Sequence, residues 1–223
     1  MQRINTPEIL DSDECPPLEV ERSLRDMGRI NRWFGGVATT RKMIERVATA
    51  TGKRKFSTLE VAAGFGEVPN LAAQQLARKE IALDLTHLDL KHSHLRPGSR
   101  AVAASALALP FADNAFDLIS CSLFAHHLEP SELGQFVNEA RRVCRCAVLI
   151  NDLVRHPLHL ALVYAGFPFL RSYVSRHDGV ASVRRSYVPS EMRQILSQGE
   201  PARKVAISQY YLFRMGVIVW KDE

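Results

Sequence analysis

The stretch Leu59–Asn70 constrains the fold of this chain more strongly than its composition does. An apolar run, Phe56–Val61, leads into small residues and two glycines, and an amphipathic pattern follows from Leu71. This order predicts a strand, a tight turn and a helix. Glycine allows a sharp turn and a close approach to a ligand, because it has no Cβ atom. The first N–H groups of the following helix favour a polar or anionic ligand.

The spacing of the glycines distinguishes two classes of cofactor. The dinucleotide pattern G-x-G-x-x-G, counted from Gly64 and Gly66, places Pro69 where the third glycine should stand, which argues against NAD. The stretch instead resembles the first motif of class I S-adenosylmethionine (SAM)-dependent methyltransferases, an acidic residue followed by G-x-G-x-G. The resemblance implies a SAM site that includes Glu60, Ala62 and the two glycines. Ala62 departs from the pattern, and it suits this position only if its φ angle is negative.

Length and composition predict one globular domain. The chain has 223 residues, of which 46% are hydrophobic and 24% charged, enough for a substantial core. We predict a flexible tail at residues 1–17 and a single domain at 18–223. Within this domain we expect a helical cap at 18–55, over the ligand edge of the sheet, and a pocket-forming insertion at 153–189.

The cysteines and the apolar stretches indicate the cellular setting. Four scattered cysteines do not make a disulfide framework, and Cys144 and Cys146 lack a second pair at zinc spacing. We therefore predict no metal site. The N-terminus lacks a signal-peptide pattern, and the apolar stretch 157–170 is shorter than the roughly 20 residues of a membrane span. We expect a cytoplasmic protein without a membrane span.

The net charge of +5 is unevenly distributed. Residues 22–55 hold ten Lys or Arg against two acids. Such a region could attract an anionic substrate or nucleic acid. We favour the interpretation that these basic residues lie on the solvent-exposed faces of two helices.

The second predicted strand, Ile81–Asp84, ends in an acid. Asp84 follows Glu60 by 24 residues, close to where doubly wound folds place the carboxylate that accepts both ribose hydroxyls. A carboxylate suits this role because it only accepts hydrogen bonds. We expect the next residue, Leu85, to pack on the adenine. The alternative is that Asp84 caps a helix that begins near Thr86.

A second motif lies at Ala106–Ser120. Its Leu-Pro-Phe…Asp…Phe-Asp pattern resembles the segment that leads into the fourth strand of small-molecule and quinone-type class I methyltransferases. In that family an Asp shortly before the Leu-Pro often binds the adenine amino group, and Ser105 stands there in this chain. The resemblance implies an adenine site at Ser105, Ala106 and Leu107.

Polar pairs follow the next two predicted strands. Leu118–Leu123 leads to His126 and His127, and the fifth strand, 147–150, leads to Asn151-Asp152. Ligands of open α/β sheets bind outside the carboxyl ends of the strands, so we expect both pairs to face cofactor or substrate. The alternative is that these polar side chains cap a helix or form hydrogen bonds within a loop.

The insertion is predicted to contain an apolar helix, 156–170, and a polar loop, 175–187. The chain resembles a bacterial methyltransferase subgroup that carries Ile-Asn-Arg-Trp with Gly-Gly, His-His, Asn-Asp, and Arg-His-Asp-Gly…Ser-Val-Arg-Arg with Tyr. Arg32, Arg184 and Arg185 could hold an acidic acceptor or the cofactor carboxylate. We predict a set of substrate-binding residues: Asn31, Trp33, Asn151, Asp152, Arg184, Arg185 and Tyr187.

The pattern of the C-terminal part predicts how the sheet ends. A helix from Ser190 precedes strands at 202–207 and 212–220, which make an antiparallel hairpin. We therefore predict an α/β fold with a doubly wound, seven-stranded mixed sheet. Such a hairpin is typical of class I methyltransferases, whereas an NAD-binding fold would end in a further crossover.

The favoured function is SAM-dependent methyl transfer to a small molecule, at a phenolic or enolic hydroxyl. Orientation supplies much of the catalysis, and an imidazole suits removal of the hydroxyl proton. His127 is the first candidate base, with His126 and His177 as the others. Asp178 could orient His177, although these two could equally form a surface turn.

Other functions remain open at this point. They are C-methylation of a quinone- or polyketide-type substrate, a SAM-binding partner subunit without chemistry, and an NAD-binding oxidoreductase. Nucleic acid is disfavoured as a partner, because Ala125-His126-His127 replaces the Asn/Asp-Pro-Pro pattern of base N-methyltransferases. The sequence does not determine the oligomeric state.

Overall fold

The structure is a computed structural model that describes residues 1–12, 15–96, 98–198 and 204–221. Seven strands form one sheet in the order β3-β2-β1-β4-β5-β7-β6. The strands are β1 (Lys55–Val61), β2 (Ala82–Asp89), β3 (Ala101–Ala103), β4 (Phe116–Ser122), β5 (Cys144–Leu153), β6 (Val205–Tyr211) and β7 (Arg214–Trp220). The α-helices are α1 (Pro17–Trp33), α2 (Gly36–Thr51), α3 (Glu67–Ala77), α4 (Pro130–Val143), α5 (Pro157–Gly166), α6 (Tyr173–Arg185) and α7 (Pro189–Ser197).

The direction of the strands confirms the predicted fold. The first five strands pair in parallel, and β7 runs antiparallel to both β5 and β6. The sheet is therefore a mixed, doubly wound sheet that ends in an antiparallel hairpin. The predicted first strand of that hairpin, 202–207, begins outside the described residues, and β6 starts at Val205.

Helix α2 is a layer of the core, not part of a cap. Its buried residues Met43, Ile44 and Val47 pack with Phe56 and Leu149 of the sheet. The expected cap at 18–55 is therefore wrong for the α2 part, because a helix with this apolar stripe is stabilised by burial against the sheet. Helices α4 and α7 pack on the opposite face.

Helix α1, helix α6 and the N-terminal segment lie over the carboxyl ends of the strands. Residues 1–12 differ from the flexible tail that we expected. The Ile4 N–H donates to the Arg184 carbonyl (3.1 Å), and Glu8 is buried. These residues are held by hydrogen bonds to distant parts of the chain, which no local pattern reveals.

The predicted polar loop 175–187 is wrong, because α6 occupies 173–185. The Ser172 hydroxyl caps this helix by accepting from the Val174 N–H (3.1 Å). Val174, Ala181 and Val183 are buried, so packing against the domain stabilises a helix whose sequence is mostly polar.

No helix in the described part of the chain is long and apolar enough to cross a membrane.

Candidate cofactor and acceptor site

A cleft of about 480 Å³ opens at the carboxyl ends of β1, β2 and β4. This volume lies within the usual range of small-molecule sites. The walls come from the N-terminal segment, α1, the β1–α3 turn, the end of β2, residues 104–107, the segment after β4, and α6. The cleft has two ends with different chemistry.

The β1–α3 turn forms one wall and has left-handed backbone conformations. Gly64 and Gly66 have φ angles of 50° and 68°. A Cβ atom on Gly66 would lie 2.8 Å from Nε2 of His87, so no larger residue fits there without a shift. The glycine pattern of the sequence therefore reflects a real requirement of the backbone.

Ala62 shares this left-handed conformation, with φ of 52°. The condition under which an alanine suits this position, a negative φ angle, is therefore not met. The turn is held by hydrogen bonds from the Ala63 N–H to the Leu88 carbonyl (3.0 Å) and from the Gly66 N–H to the Ala63 carbonyl (2.8 Å). A non-glycine residue in this conformation costs about 1–2 kcal/mol.

Asp89, the last residue of β2, lies beside the β1–α3 turn at the wall of the cleft. Its Oδ2 accepts from the Gly64 N–H (2.9 Å), and its Oδ1 accepts from the Lys91 N–H (3.1 Å). These bonds fix the carboxylate at the wall and leave lone pairs for further donors. Asp89 therefore has the position and chemistry that we had assigned to Asp84.

The assignments of Asp84 and Leu85 are wrong. Asp84 pairs with Ser57, early in the strand register, and its half-exposed carboxylate binds Arg100 (3.0 Å). Leu85 also lies before the end of the strand and does not line the cleft. The strand continues past its first acid and ends at Asp89, and its last four residues are all buried.

Glu60, at the end of β1, lines the cleft and is 1% exposed. Burial raises the pKa of its carboxyl to about 7, and the nearby hydroxyls of Ser120 and Ser122 offset this only in part. Its Oε2 has no hydrogen-bond partner within the described chain. A donor from a ligand would satisfy this buried atom.

The predicted adenine residues Ser105, Ala106 and Leu107 all line the cleft. The Ser105 hydroxyl accepts from the Leu107 N–H (3.2 Å), which shapes a short polar turn. Leu90 faces the same space and is 72% exposed. An apolar side chain beside a polar turn suits a flat heteroaromatic ligand, and Leu90 replaces Leu85 in this role.

His126 and His127 lie at the other end of the cleft, and their environments differ. His126 is 1% exposed, with its Nδ1 2.7 Å from Asp152 Oδ1 and its Nε2 3.3 Å from Glu8 Oε1. Burial lowers the pKa of His126, but the two carboxylates outweigh this and raise it well above its usual range. His126 is therefore protonated near neutral pH and does not suit a general base.

The His127 side chain is 22% exposed and lines the cleft. Its Nδ1 lies 3.1 Å from Asp11 Oδ2, and its Nε2 lies 3.6 Å from Glu8 Oε2. Burial raises the pKa of Glu8, but the hydrogen bond and charge of His126 outweigh it and lower that pKa. The acceptor end thus contains an anionic Glu8 between two imidazoles.

Asn151 and Asp152 lie within β5, not after it. Asn151 is fully buried, and its amide donates to the Gly36 carbonyl (2.8 Å) and to the Thr40 hydroxyl (2.9 Å). Neither residue lines the cleft. The pair is therefore not placed to bind a substrate directly. Asp152 acts through His126, which it orients.

The three candidates at the end of the insertion are dispersed. Arg185 lines the cleft, is buried, and donates to the His127 carbonyl (3.0 Å). Tyr187 is buried outside the cleft and donates to the Leu128 carbonyl (2.7 Å). Arg184 lines a separate pocket. Of the three, only Arg185 is placed to meet an acceptor.

His177 and Asp178 do not reach the cleft. His177 lies in α6 and lines the separate pocket with Arg184. The Asp178 carboxylate accepts from the Ile9 and Leu10 N–H groups (2.8 and 3.1 Å). Asp178 therefore fixes the N-terminal segment, and neither residue lies in the histidine cluster at the cleft.

The three candidates on α1 also lie in different surroundings. Asn31 lines the cleft and accepts from Arg214 (2.6 Å). Arg32 does not line the cleft but binds Glu67 of its wall (3.2 Å), and Trp33 is 73% exposed. One helical turn cannot direct three consecutive side chains into one site.

Sequence reasoning missed Glu8, Asp11, Asp89 and Leu90. The apolar residues of β2 could have located Asp89 and Leu90, because they continue past Asp84. Nothing in the local pattern indicates Glu8 or Asp11, which reach the cleft from the N-terminal segment.

Comparisons with known proteins point to methyltransferases. Residues 59–147 match the family described as a methyltransferase domain. The match covers 89 of the 223 residues and, together with the seven-stranded mixed sheet, supports a SAM-dependent methyltransferase. It is 32% identical over 116 residues to a demethylmenaquinone methyltransferase of Renibacterium salmoninarum, a match that covers 49% of this chain and 43% of that protein.

A second curated relative is an uncharacterized methyltransferase of Mycolicibacterium gilvum, 29% identical over 160 residues, which cover 66% of this chain and 62% of the relative. The matches therefore span less than two thirds of either relative. Among solved structures, the plantazolicin methyltransferase BamL, with a triazolic analogue and SAH, aligns with a TM-score of 0.67 at 12% identity over 92% of each chain. Human N-acetylserotonin methyltransferase with SAM aligns with a TM-score of 0.61 at 11% identity, over 92% of this chain and 57% of that one.

The residues of the cleft fit the cofactor of this methyltransferase class. The left-handed glycine turn leaves the backbone open to close approach. Asp89 offers acceptors for ribose hydroxyls, and the orphaned Oε2 of Glu60 offers one for an N–H or water donor. Ser105 and Leu90 supply the polar and apolar edges that an adenine needs.

Proposed function

We propose that this methyltransferase transfers the methyl group of SAM to a hydroxyl of a small molecule. The observation that carries the proposal is one cleft with the glycine turn and Asp89 at one end and the accessible His127 at the other. Bound SAM would supply an electrophilic sulfonium methyl group between these ends. At the acceptor end, Glu8, Asp11 and Arg185 lie outside the family match, whereas the two histidines lie within it.

Different residues of the chain orient the methyl donor and remove the proton of the acceptor. Asp89 and the β1–α3 turn orient the donor. His127, which is partly exposed to the cleft whereas His126 is buried, takes the hydroxyl proton at Nε2. Asp11 holds Nδ1 of His127 and so directs Nε2 towards the cleft.

Arg185 favours an acceptor that carries a negative charge. Its guanidinium lies within the cleft wall, 3.8 Å from Asp11, and its Nε has no hydrogen-bond partner in the described chain. A buried guanidinium beside a proton-accepting cluster stabilises a phenolate or enolate as it forms. This supports a phenolic or enolic acceptor.

Calorimetry with SAM, SAH and NADH tests the cofactor, and we expect micromolar binding of the first two only. A panel of phenols and enolised diketones, incubated with methyl-labelled SAM, tests the acceptor class. Product connectivity then separates O- from C-methylation. Binding of NADH, or of neither cofactor class, would contradict the proposal.

A further inference from the structure

The Glu8, His126 and His127 side chains form a cluster that a general base alone does not explain. One ligand atom from each residue lies within 4.8 Å of the others. A single base requires one accessible imidazole, yet two imidazoles and a carboxylate converge here. The three residues come from the N-terminal segment and from the turn after β4.

Each imidazole is oriented by a second carboxylate. Asp152 holds Nδ1 of His126 at 2.7 Å, and Asp11 holds Nδ1 of His127 at 3.1 Å. Both Nε2 atoms therefore face Glu8. A carboxylate on the far nitrogen is the usual outer partner of a histidine that binds a metal, because it fixes the ring and raises its basicity.

The distances between the three inner groups suit ligands of one ion. Nε2 of His126 lies 3.3 Å from Glu8 Oε1, and Nε2 of His127 lies 3.6 Å from Glu8 Oε2. Ligands bound at about 2.0–2.2 Å to a tetrahedral ion lie about 3.3–3.6 Å apart. The His126–Glu8 contact is a long hydrogen bond, whereas the charge-assisted bond of His126 with Asp152 has the ordinary length of 2.7 Å.

We propose that Glu8, His126 and His127 bind a divalent first-row transition metal ion at the acceptor end of the cleft. Two histidines and one carboxylate leave coordination positions open, as in catalytic zinc and non-haem iron sites. His127 is partly exposed to the cleft, so the open positions face the acceptor. The ion takes the place of the proton that His126 shares with Glu8.

The catalytic consequence rests on the proposed function, whereas metal binding does not. The acceptor hydroxyl binds the ion through oxygen and releases its proton to water. The oxygen then attacks the sulfonium methyl, the carbon–sulfur bond breaks, and its electron pair stays on sulfur. The methyl transfer proposed above is kept, but the base role of His127 is replaced: its Nε2 would be a ligand, and the ion would lower the pKa of the hydroxyl.

The test uses full-length protein treated with a chelator and then titrated with Co²⁺, followed by its visible absorption, with Zn²⁺ as competitor. We expect one Co²⁺ per chain with a four- or five-coordinate spectrum. Glu8→Gln and His127→Gln should each weaken binding by about a hundredfold. Asp11→Asn, which changes only the outer partner, should weaken it by about tenfold.

His177→Gln is the matched control, because His177 lies outside the cleft and should leave Co²⁺ affinity unchanged. Thermal melting of each variant shows that it is folded, and two ligand variants are used so that one unfolded variant does not decide the result. Absence of Co²⁺ binding, or equal binding by parent and both ligand variants, overturns the inference. SAM calorimetry on the same chelated samples separates this outcome from failure of the proposed function, since SAM binding needs no metal.

Discussion

The two ends of the cleft are built in different ways. The cofactor end is made from contiguous turns: Gly64–Gly66 after β1, Asp89 and Leu90 after β2, and Ser105–Leu107 after β3. The acceptor end is made from side chains that are more than a hundred residues apart, as in the bonds of Glu8 and Asp11 to the two histidines.

This difference has a physical basis. A cofactor site built on backbone turns depends on φ angles, which glycines and strand ends determine locally. In an acceptor site built on charged side chains, each charged group shifts the pKa of its neighbours. These shifts arise only when the distant segments are packed together. Substitutions at the two ends should therefore affect different measurements.

The largest expected effect is at the acceptor end. His127→Ala removes the accessible imidazole and should lower the turnover number by about 10²–10⁴, with little change in SAM affinity. Steady-state kinetics and SAM calorimetry measure the two quantities. His177→Ala is the matched control and should stay within about threefold of the parent; an equal loss in both variants would remove the distinction between the two ends.

The next effect is at the cofactor end. Asp89→Ala leaves two ribose hydroxyls without their acceptor and should weaken SAM binding by about 2–4 kcal/mol. Asp84→Ala is the control, because its carboxylate meets Arg100 at the surface, and it should bind SAM like the parent. If Asp84→Ala were the weaker binder, the ribose would lie elsewhere.

Glu60 tests whether burial controls the charge at the cofactor end. Its pKa is raised from 4.5 to about 7, so the unfolded state loses this proton first as the pH rises. Stability of the ligand-free protein should therefore fall between about pH 4.5 and 7, by roughly 2–3 kcal/mol. Glu60→Gln should lack this contribution, which urea unfolding at several pH values measures. Parallel pH profiles for parent and variant would show that Glu60 keeps an ordinary pKa.

The smallest effect concerns the backbone of the turn. Ala62→Gly relieves a left-handed conformation at the cost of greater freedom in the unfolded chain. The net gain in stability should be about 0.5–1 kcal/mol. Thermal and urea unfolding measure it, and Ala63→Gly serves as control because Ala63 is absent from the residues with positive φ. Equal effects of the two changes would contradict strain at Ala62.

The sequence by itself determined the sheet, its order of elements and the glycine turn. Those features follow from local patterns, since apolar periodicity and missing Cβ atoms act over a few residues. The resemblance to methyltransferase motifs pointed to Glu60, Ser105, Ala106 and Leu107, and all four line the cleft. Sequence reasoning misplaced the ribose acid, because the end of β2 depends on how far pairing with β1 and β3 extends.

Only the tertiary structure decided the acceptor end. The sequence put His126 and His127 at the right edge of the sheet, but equal residue types acquire different chemistry once packed. Asp152 and Glu8 enclose His126 and hold it protonated, while His127 keeps access to the cleft. Such roles depend on burial and on charges contributed by residues far away in the chain, and neither quantity exists in a local pattern.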